Sequence, residues 1–301
     1  MPDLEIVDAH HHLTDLSRPY PWLAGVEDSN RYHGDDRPIR RHYLLDDYLH
    51  DVGNLRLIAS VHIENGAADA LAETQWIQAV HDERTLPSVH VAHVSLLGAD
   101  TPAHLERLGD YPVVRGIRDI LNWHPDPYYS HTSRSDIISD PVWLGNFARL
   151  NALGLSFDLQ VFPSQLNQAA KLAARFPETR IILDHAGMPI GRDADSWREW
   201  RDGMRAVSQQ PNIVAKISAL GTNDHTWTQD SLRPFILETI DLFGPARCMF
   251  GSNFPVDSLY STFGDLYGAF DRLTVDFSPV ERRQLFAETA LHSYDIAVRQ
   301  P

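Results

Sequence analysis

The 301-residue sequence has one cysteine, Cys248. That excludes a disulfide framework and a cysteine-rich zinc module. In its apolar stretch, Cys248 reads as a small buried hydrophobe. No apolar run approaches the ~18 residues that a membrane helix needs, so no membrane span is expected. Met1 to Glu5 are acidic and lack the basic and apolar regions of a secretion signal; a cytoplasmic protein is expected. Positive charge is scarce. Lys and Arg number 26 against 41 Asp and Glu, a formal net charge of −15. Nucleic acid and anionic membranes are therefore poor partners. No Gly-x-Gly-x-x-Gly follows an early strand, and no Gly-x-x-x-x-Gly-Lys occurs. A doubly wound dinucleotide-binding sheet is the weaker fold reading for that reason.

What is present is a rhythm. Short β-rich apolar runs fall at 5–9, 57–62, 89–96, 113–117, 155–161, 180–185, 212–218 and 248–252. Helical periodicity lies between most of them. Ala68, Leu71, Ala72, Trp76, Ala79 and Val80 share one face. Leu166, Ala169, Ala170, Leu172, Ala173 and Phe176 repeat the pattern, as do Leu232, Phe235, Ile236, Ile240 and Phe243. Strands alternating with helices imply parallel βαβ units. Eight units predict an α/β fold, a single (β/α)8 TIM barrel spanning 1–301 as one domain. Two long loops, 13–43 and 121–140, follow the first and fourth strands. They would overhang the strand C-termini, where such barrels place their sites.

Parallel strands covered on both faces should be nearly pure Val, Ile and Leu. These break the rule at their ends. Strand one ends Asp8-Ala9-His10-His11-His12, strand two carries His62, and strand four carries Arg118. Strand five reads Ser156-Phe157-Asp158-Leu159-Gln160, and strand six ends Asp184-His185. Strand seven carries Lys216, and strand eight runs on to Asn253. So many polar residues at one end predict a polar pocket. His10 and His12 share a face by period-2 alternation, a spacing suited to chelating one divalent cation. Arg118 has the planar fork that grips a carboxylate. Lys216 is placed to pair with Asp158 or Asp184. Trp22, Trp123 and Tyr128 on the loops could cover a substrate ring, and His62 and Gln160 could touch it. Of sixteen histidines, His33, His42, His50, His81, His90, His93, His104, His225 and His292 read as surface or core residues.

Val7-Asp8-Ala9-His10-His11-His12-Leu13 resembles the opening of the amidohydrolase superfamily. Arg115-Gly116-Ile117-Arg118, Asp184-His185-Ala186-Gly187-Met188-Pro189 and Phe250-Gly251-Ser252-Asn253-Phe254-Pro255-Val256 are similar to the amidohydrolase-related branch of sugar and pyrone lactonases. The resemblance implies a (β/α)8 barrel that hydrolyses lactones or related esters. It implies His10, His12 and His185 as active-site residues, and as metal ligands if a divalent ion such as zinc is bound. Arg118 is the implied substrate anchor. One departure bears on the chemistry. The branch carries aspartate where this chain has Asn253, and a neutral amide cannot accept a proton near neutral pH. His185, or Asp257 four residues on, is then the expected base. The expected substrate is a small lactone or cyclic ester, sugar-derived or carboxylate-bearing. The rivals are lactone isomerisation, non-oxidative decarboxylation and an inactive ligand-binding barrel.

Overall fold

The computed structural model describes residues 4–24 and 31–297. Eight strands form one sheet in chain order: β1 (Glu5–His11), β2 (Arg56–Ile63), β3 (Val89–His93), β4 (Val114–Ile120), β5 (Ser156–Gln160), β6 (Ile181–Leu183), β7 (Ile213–Ile217) and β8 (Cys248–Phe250). Each of the seven adjacent pairs is parallel. The seam between β8 and β1 is bridged just beyond β8. Asn253 N donates to His10 O at 2.7 Å, and His12 N donates to Phe254 O at 2.8 Å. Gly251 makes that approach possible: a Cβ there would lie 2.7 Å from His10 Cβ and 2.9 Å from its N. The result is the expected (β/α)8 barrel, nearly closed.

The helices that follow the strands are α1 (Leu45–Val52), α2 (Ala70–Arg84), α3 (Thr101–Leu108), α4 (Pro141–Phe147), α5 (Leu166–Arg175), α6 (Ala194–Ser208), the short α7 (Leu220–Asn223), α8 (Gln229–Phe243) and α9 (Phe263–Leu273). Their apolar faces meet the outward side chains of the strands. Leu166, Ala169, Leu172 and Ala173 of α5 are buried as the periodicity predicts. So are Leu232, Phe235, Ile236, Ile240 and Phe243 of α8. Helix α2 differs. It buries Glu73, Thr74 and Ile77, and Ala79 is exposed. The reason is the surface beneath it: Thr74 Oγ1 lies 3.3 Å from His90 Nε2, and Glu73 accepts from Asn65 N at 3.1 Å. Leu71, Trp76 and Val80 of the expected face still pack, half-buried, against the core, and Glu73 and Thr74 meet the polar patch beside them.

Inside the barrel, Val7, Val61, Ile63, Val91, Ile182 and Met249 form a second cluster with Ala287, Ala290 and Tyr294. Burial at roughly 25 cal/mol per Å² makes these layers the main source of stability. Cys248 is buried in the outer layer. No described helix is long and apolar enough to cross a membrane.

Of the two expected loops, residues 25–30 of loop 13–43 lie outside the described residues. The ends of that loop are clasped by Thr14 and Tyr43, whose backbones exchange two hydrogen bonds of 2.8 Å. Tyr20, Leu23 and Ile39 form a small apolar cluster with Trp22, Ala67, Val256 and Leu259 against it. The loops touch each other: the Tyr32 ring lies 6.0 Å from Tyr129 and 5.9 Å from His131.

Candidate active site

A cavity of about 330 Å³ opens where the strands end. His12, Glu64, Arg118, Gln160, His185 and Asn253 reach it from the barrel, and Trp22, Arg31, Tyr32, His33 and His131 from the loops. Pro21, Ile120, Met188 and Val256 supply apolar wall. The polar groups converge because β4 and β5 pair in register, Arg118 with Asp158 and Ile120 with Gln160. Residues two apart on adjacent strands then stack in layers across the interior.

Three strand ends turn sharply. His185, Ala186 and Met188 after β6, Ala219 after β7 and Asn253 after β8 have φ between 50° and 59°. A left-handed backbone costs a non-glycine residue of order 1–3 kcal/mol. Here it is held by surrounding contacts such as His185 Nδ1 to Ser218 Oγ at 2.9 Å.

Below the cavity floor lies a wholly buried ionic cluster. Lys216 Nζ is 2.9 Å from Asp184 Oδ1, 3.2 Å from Asp158 Oδ1 and 3.4 Å from His10 Nδ1. Lys216 thus meets both of the carboxylates that the sequence offers it. Tyr294 also donates its hydroxyl to Asp158, at 2.6 Å and 2.9 Å. Burial pushes the Asp184 carboxyl up, but the Lys216 ammonium outweighs it and holds the group well below the usual range. Burial and Lys216 together keep His10 neutral. Burial, then Arg118, brings His12 down to about 4, and burial brings His185 down to about 3. The imidazoles at this end are uncharged at neutral pH.

His12 has a defined tautomer. Its Nδ1 lies 2.9 Å from the Ile63 carbonyl oxygen, which can only accept, so Nδ1 carries the proton and Nε2 the lone pair. The Asn253 amide lines the cavity with His12. It also lies 3.4 Å from Thr222 Oγ1 and 3.3 Å from Asp257 Oδ1. Asp257 is not among the described residues lining the cavity. It sits behind Asn253 and Thr222, accepting from Thr222 Oγ1 at 2.9 Å. Burial pushes it up to about 7.

Arg118 lines the cavity, but its fork is already engaged. Nε donates to Glu64 Oε1 and Nη2 to Glu64 O, both at 2.7 Å, and Nη1 reaches Gln160 Oε1 at 3.3 Å. The second cavity arginine, Arg31, lies 3.4 Å from Asp36. Both cations on the wall have a carboxylate beside them.

Three expected substrate contacts lie elsewhere. His62 is on the outer face of β2, hydrogen-bonded to His90 (Nδ1 to Nδ1, 2.9 Å) with His11 nearby. Its neighbours Val61 and Ile63 take the interior, and alternation sends His62 outward. Trp123 lines a separate hollow with His124, Tyr129, Phe162 and Pro189, and Tyr128 does not line the cavity. His33, expected at the surface or in the core, lines the cavity instead. Glu64, at the polar end of the second strand, also lines it, as do Arg31, Tyr32 and His131 from loops without periodicity.

Among the described residues, one group of donors draws together as a metal would need. His10, Asp184 and His185 each offer an atom, all within 4.8 Å of one another. His12, expected among the ligands, is outside this group, and Asp184 takes its place. Two imidazoles and a carboxylate suit a divalent ion such as zinc, and His10 Nε2 is buried with no hydrogen-bond partner among the described residues. In donor type the residues fit.

The sequence profile of the amidohydrolase family matches residues 7–296, and the chain belongs to that family. It is 38% identical to the uncharacterized protein y4mH of Sinorhizobium fredii, over 98% of this chain and all of that protein. It is 31% identical to an L-fucono-1,5-lactonase of Burkholderia ambifaria, over 74% of this chain and 76% of the relative. An amidohydrolase from Burkholderia multivorans, solved with bound zinc, superposes with a TM-score of 0.82 at 24% identity. That match covers 97% of this chain and 99% of the other, and it speaks for the fold.

Proposed function

We propose that this chain is one catalytic domain that hydrolyses a neutral, sugar-derived lactone, with a six-membered ring as the first choice. The observation that carries the reading is the engagement of Arg118 by Glu64. A carboxylate-bearing lactone would need that fork free to be gripped in two places. At Arg118 the wall therefore offers hydrogen bonds without a net attraction for anions, while Arg31 shares Asp36 with Arg40, which lies nearer at 2.7 Å. Hydroxyl groups suit the remaining edge of Arg118 and the side chains of Gln160, Asn65 and Tyr32. Trp22, Met188 and Val256 suit the apolar face of a sugar ring. The L-fucono-1,5-lactonase relatives favour the same substrate class.

In this mechanism the oxygen of a water attacks the lactone carbonyl carbon. His12 Nε2, whose lone pair is secured by the Nδ1 bond to Ile63 O, accepts the water proton. The ring carbon–oxygen bond breaks, and the ring oxygen leaves as an alcohol by taking from His12 the proton that His12 accepted from water. The product is a hydroxy acid. Asn253 lines the cavity with His12, and Asp257 meets the Asn253 amide from behind, so Asp257 acts as a positioning residue. A divalent ion held by His10, Asp184 and His185 would polarise the carbonyl and acidify water. The partner implied is a small soluble molecule, and the absence of a membrane-crossing helix among the described residues suits a cytoplasmic enzyme.

The test is a pH-stat screen of 1,5- and 1,4-lactones of sugar acids beside 2-pyrone-4,6-dicarboxylate, with and without chelator. Acid release from neutral sugar lactones is expected. Turnover of the dicarboxylate alone would overturn the substrate class. Carbon dioxide release from an aromatic carboxylate, with no lactone opened, would overturn the hydrolase reading.

A further inference from the structure

The donor group His10, Asp184 and His185 already has a cation against it. Lys216 Nζ lies 2.9 Å from Asp184 Oδ1 and 3.4 Å from His10 Nδ1, so it touches two of the three. Its side chain is wholly buried on β7, as are Asp158 and Asp184. The aromatic ring of Tyr294 lies 5.5 Å from Nζ.

We propose that Lys216 is the resident cation of this centre, competing with a divalent metal ion for Asp184 and so keeping zinc affinity low. Charge supports the competition. Ionised Asp158 and Asp184 alone would present two negative charges, matched to a divalent ion. Lys216 cancels one and adds repulsion at the distance of a direct contact. His10 Nδ1 lies between Lys216 Nζ at 3.4 Å and Asp184 Oδ1 at 3.7 Å, so the ammonium stands against a second donor residue of the group. This inference concerns the metal and is independent of which lactone is opened.

The experiment is zinc titration calorimetry on chelator-dialysed protein, comparing the wild type with Lys216→Met and with Lys216→Met/Asp158→Asn. Circular dichroism melts identify which variants are folded. The double variant removes one positive and one negative charge, so the centre keeps its net charge. A gain in affinity there isolates the direct competition for Asp184. Both variants are expected to bind zinc more tightly by on the order of tenfold or more, the scale on which one adjacent like charge shifts an ionic equilibrium. Unchanged affinity in a folded variant overturns the proposal. The wild type is read in parallel, by metal analysis after zinc loading and gel filtration. Substoichiometric zinc is expected, and a full retained equivalent overturns the proposal whatever the variants do. Turnover is not measured at any stage, so failure here leaves the lactonase reading untouched.

Discussion

Glu64 holds Arg118 with both its carboxylate and its backbone: Nε reaches Oε1 and Nη2 reaches the carbonyl oxygen, each at 2.7 Å. The two contacts occupy the guanidinium on two of its nitrogens and set a carboxylate against its charge. Arg118 was expected to grip a substrate carboxylate, and this pairing redirects that expectation toward a neutral ligand.

Glu64→Gln should therefore change selectivity. With the carboxylate gone, Arg118 regains an unpaired charge in the cavity. KM for a carboxylate-bearing lactone should fall relative to that for its neutral analogue. Breaking a buried pair from one side costs about 3–5 kcal/mol, so the melting temperature should drop as well. Unchanged relative KM values would show that Arg118 does not set the charge preference.

The same pair sets an acid limit. Burial works to raise the Glu64 carboxyl, but Arg118 and its other partners bring it down to about 2, from an ordinary 4.5. A depressed pKa contributes stability above 4.5 that is lost as pH falls through about 2. The contribution is about 3 kcal/mol. Urea melts of the wild type and Glu64→Gln should converge as pH drops across this window. A constant difference would contradict the ionic pairing.

Asp257 has the opposite sign. Burial lifts its pKa from 3.8 to about 7. The stability tied to this group is fully present below 3.8 and lost as pH rises through 7. Asp257→Asn removes that loss, so its melting temperature relative to the wild type should climb between pH 4 and pH 8. The gain should be at most about 4 kcal/mol. Because asparagine can still meet Asn253 and Thr222, turnover should fall by less than about a hundredfold. Any inflection of the rate near pH 7 should vanish. A fall at or beyond that limit would make Asp257 itself the base, in place of His12.

His12→Gln should lower kcat by roughly 10²–10⁴-fold, the span of general base losses. KM should move little. Steady-state kinetics on a neutral lactone would check this, and wild-type kcat would remove His12 from the mechanism.

His62→Phe should leave kcat/KM unaltered, since His62 faces the helix layer. Its bond to His90 is lost, and stability should fall by about 1–3 kcal/mol, the cost of an unsatisfied buried partner. Loss of turnover in a variant with normal stability would return His62 to the site.

The barrel was legible from local pattern. Apolar runs of strand length, spaced by amphipathic helices such as α5 and α8, leave few ways to bury both faces of a parallel sheet. Polar interruptions at successive strand ends marked the site because nothing in a buried strand otherwise tolerates them. What the pattern could not carry was direction and pairing. His62 and Arg118 both sit on strands; His62 faces the helix layer and Arg118 the cavity, and each side is read only against its neighbours. His10 and Asp8 have the same parity, yet β1 shifts register between Asp8 and His11. Asp8 meets Tyr48 and Tyr267 while His10 meets Lys216. The engagement of Arg118 by Glu64 spans 54 residues of sequence, and that of Lys216 by Asp158 spans 58. His33 and Tyr32 come from a loop without periodicity and become cavity walls only when folded over the barrel mouth. Apolar periodicity is a property of one element, and the sequence encodes it locally. Charge neutralisation is a property of pairs, and only the tertiary structure chose the partners.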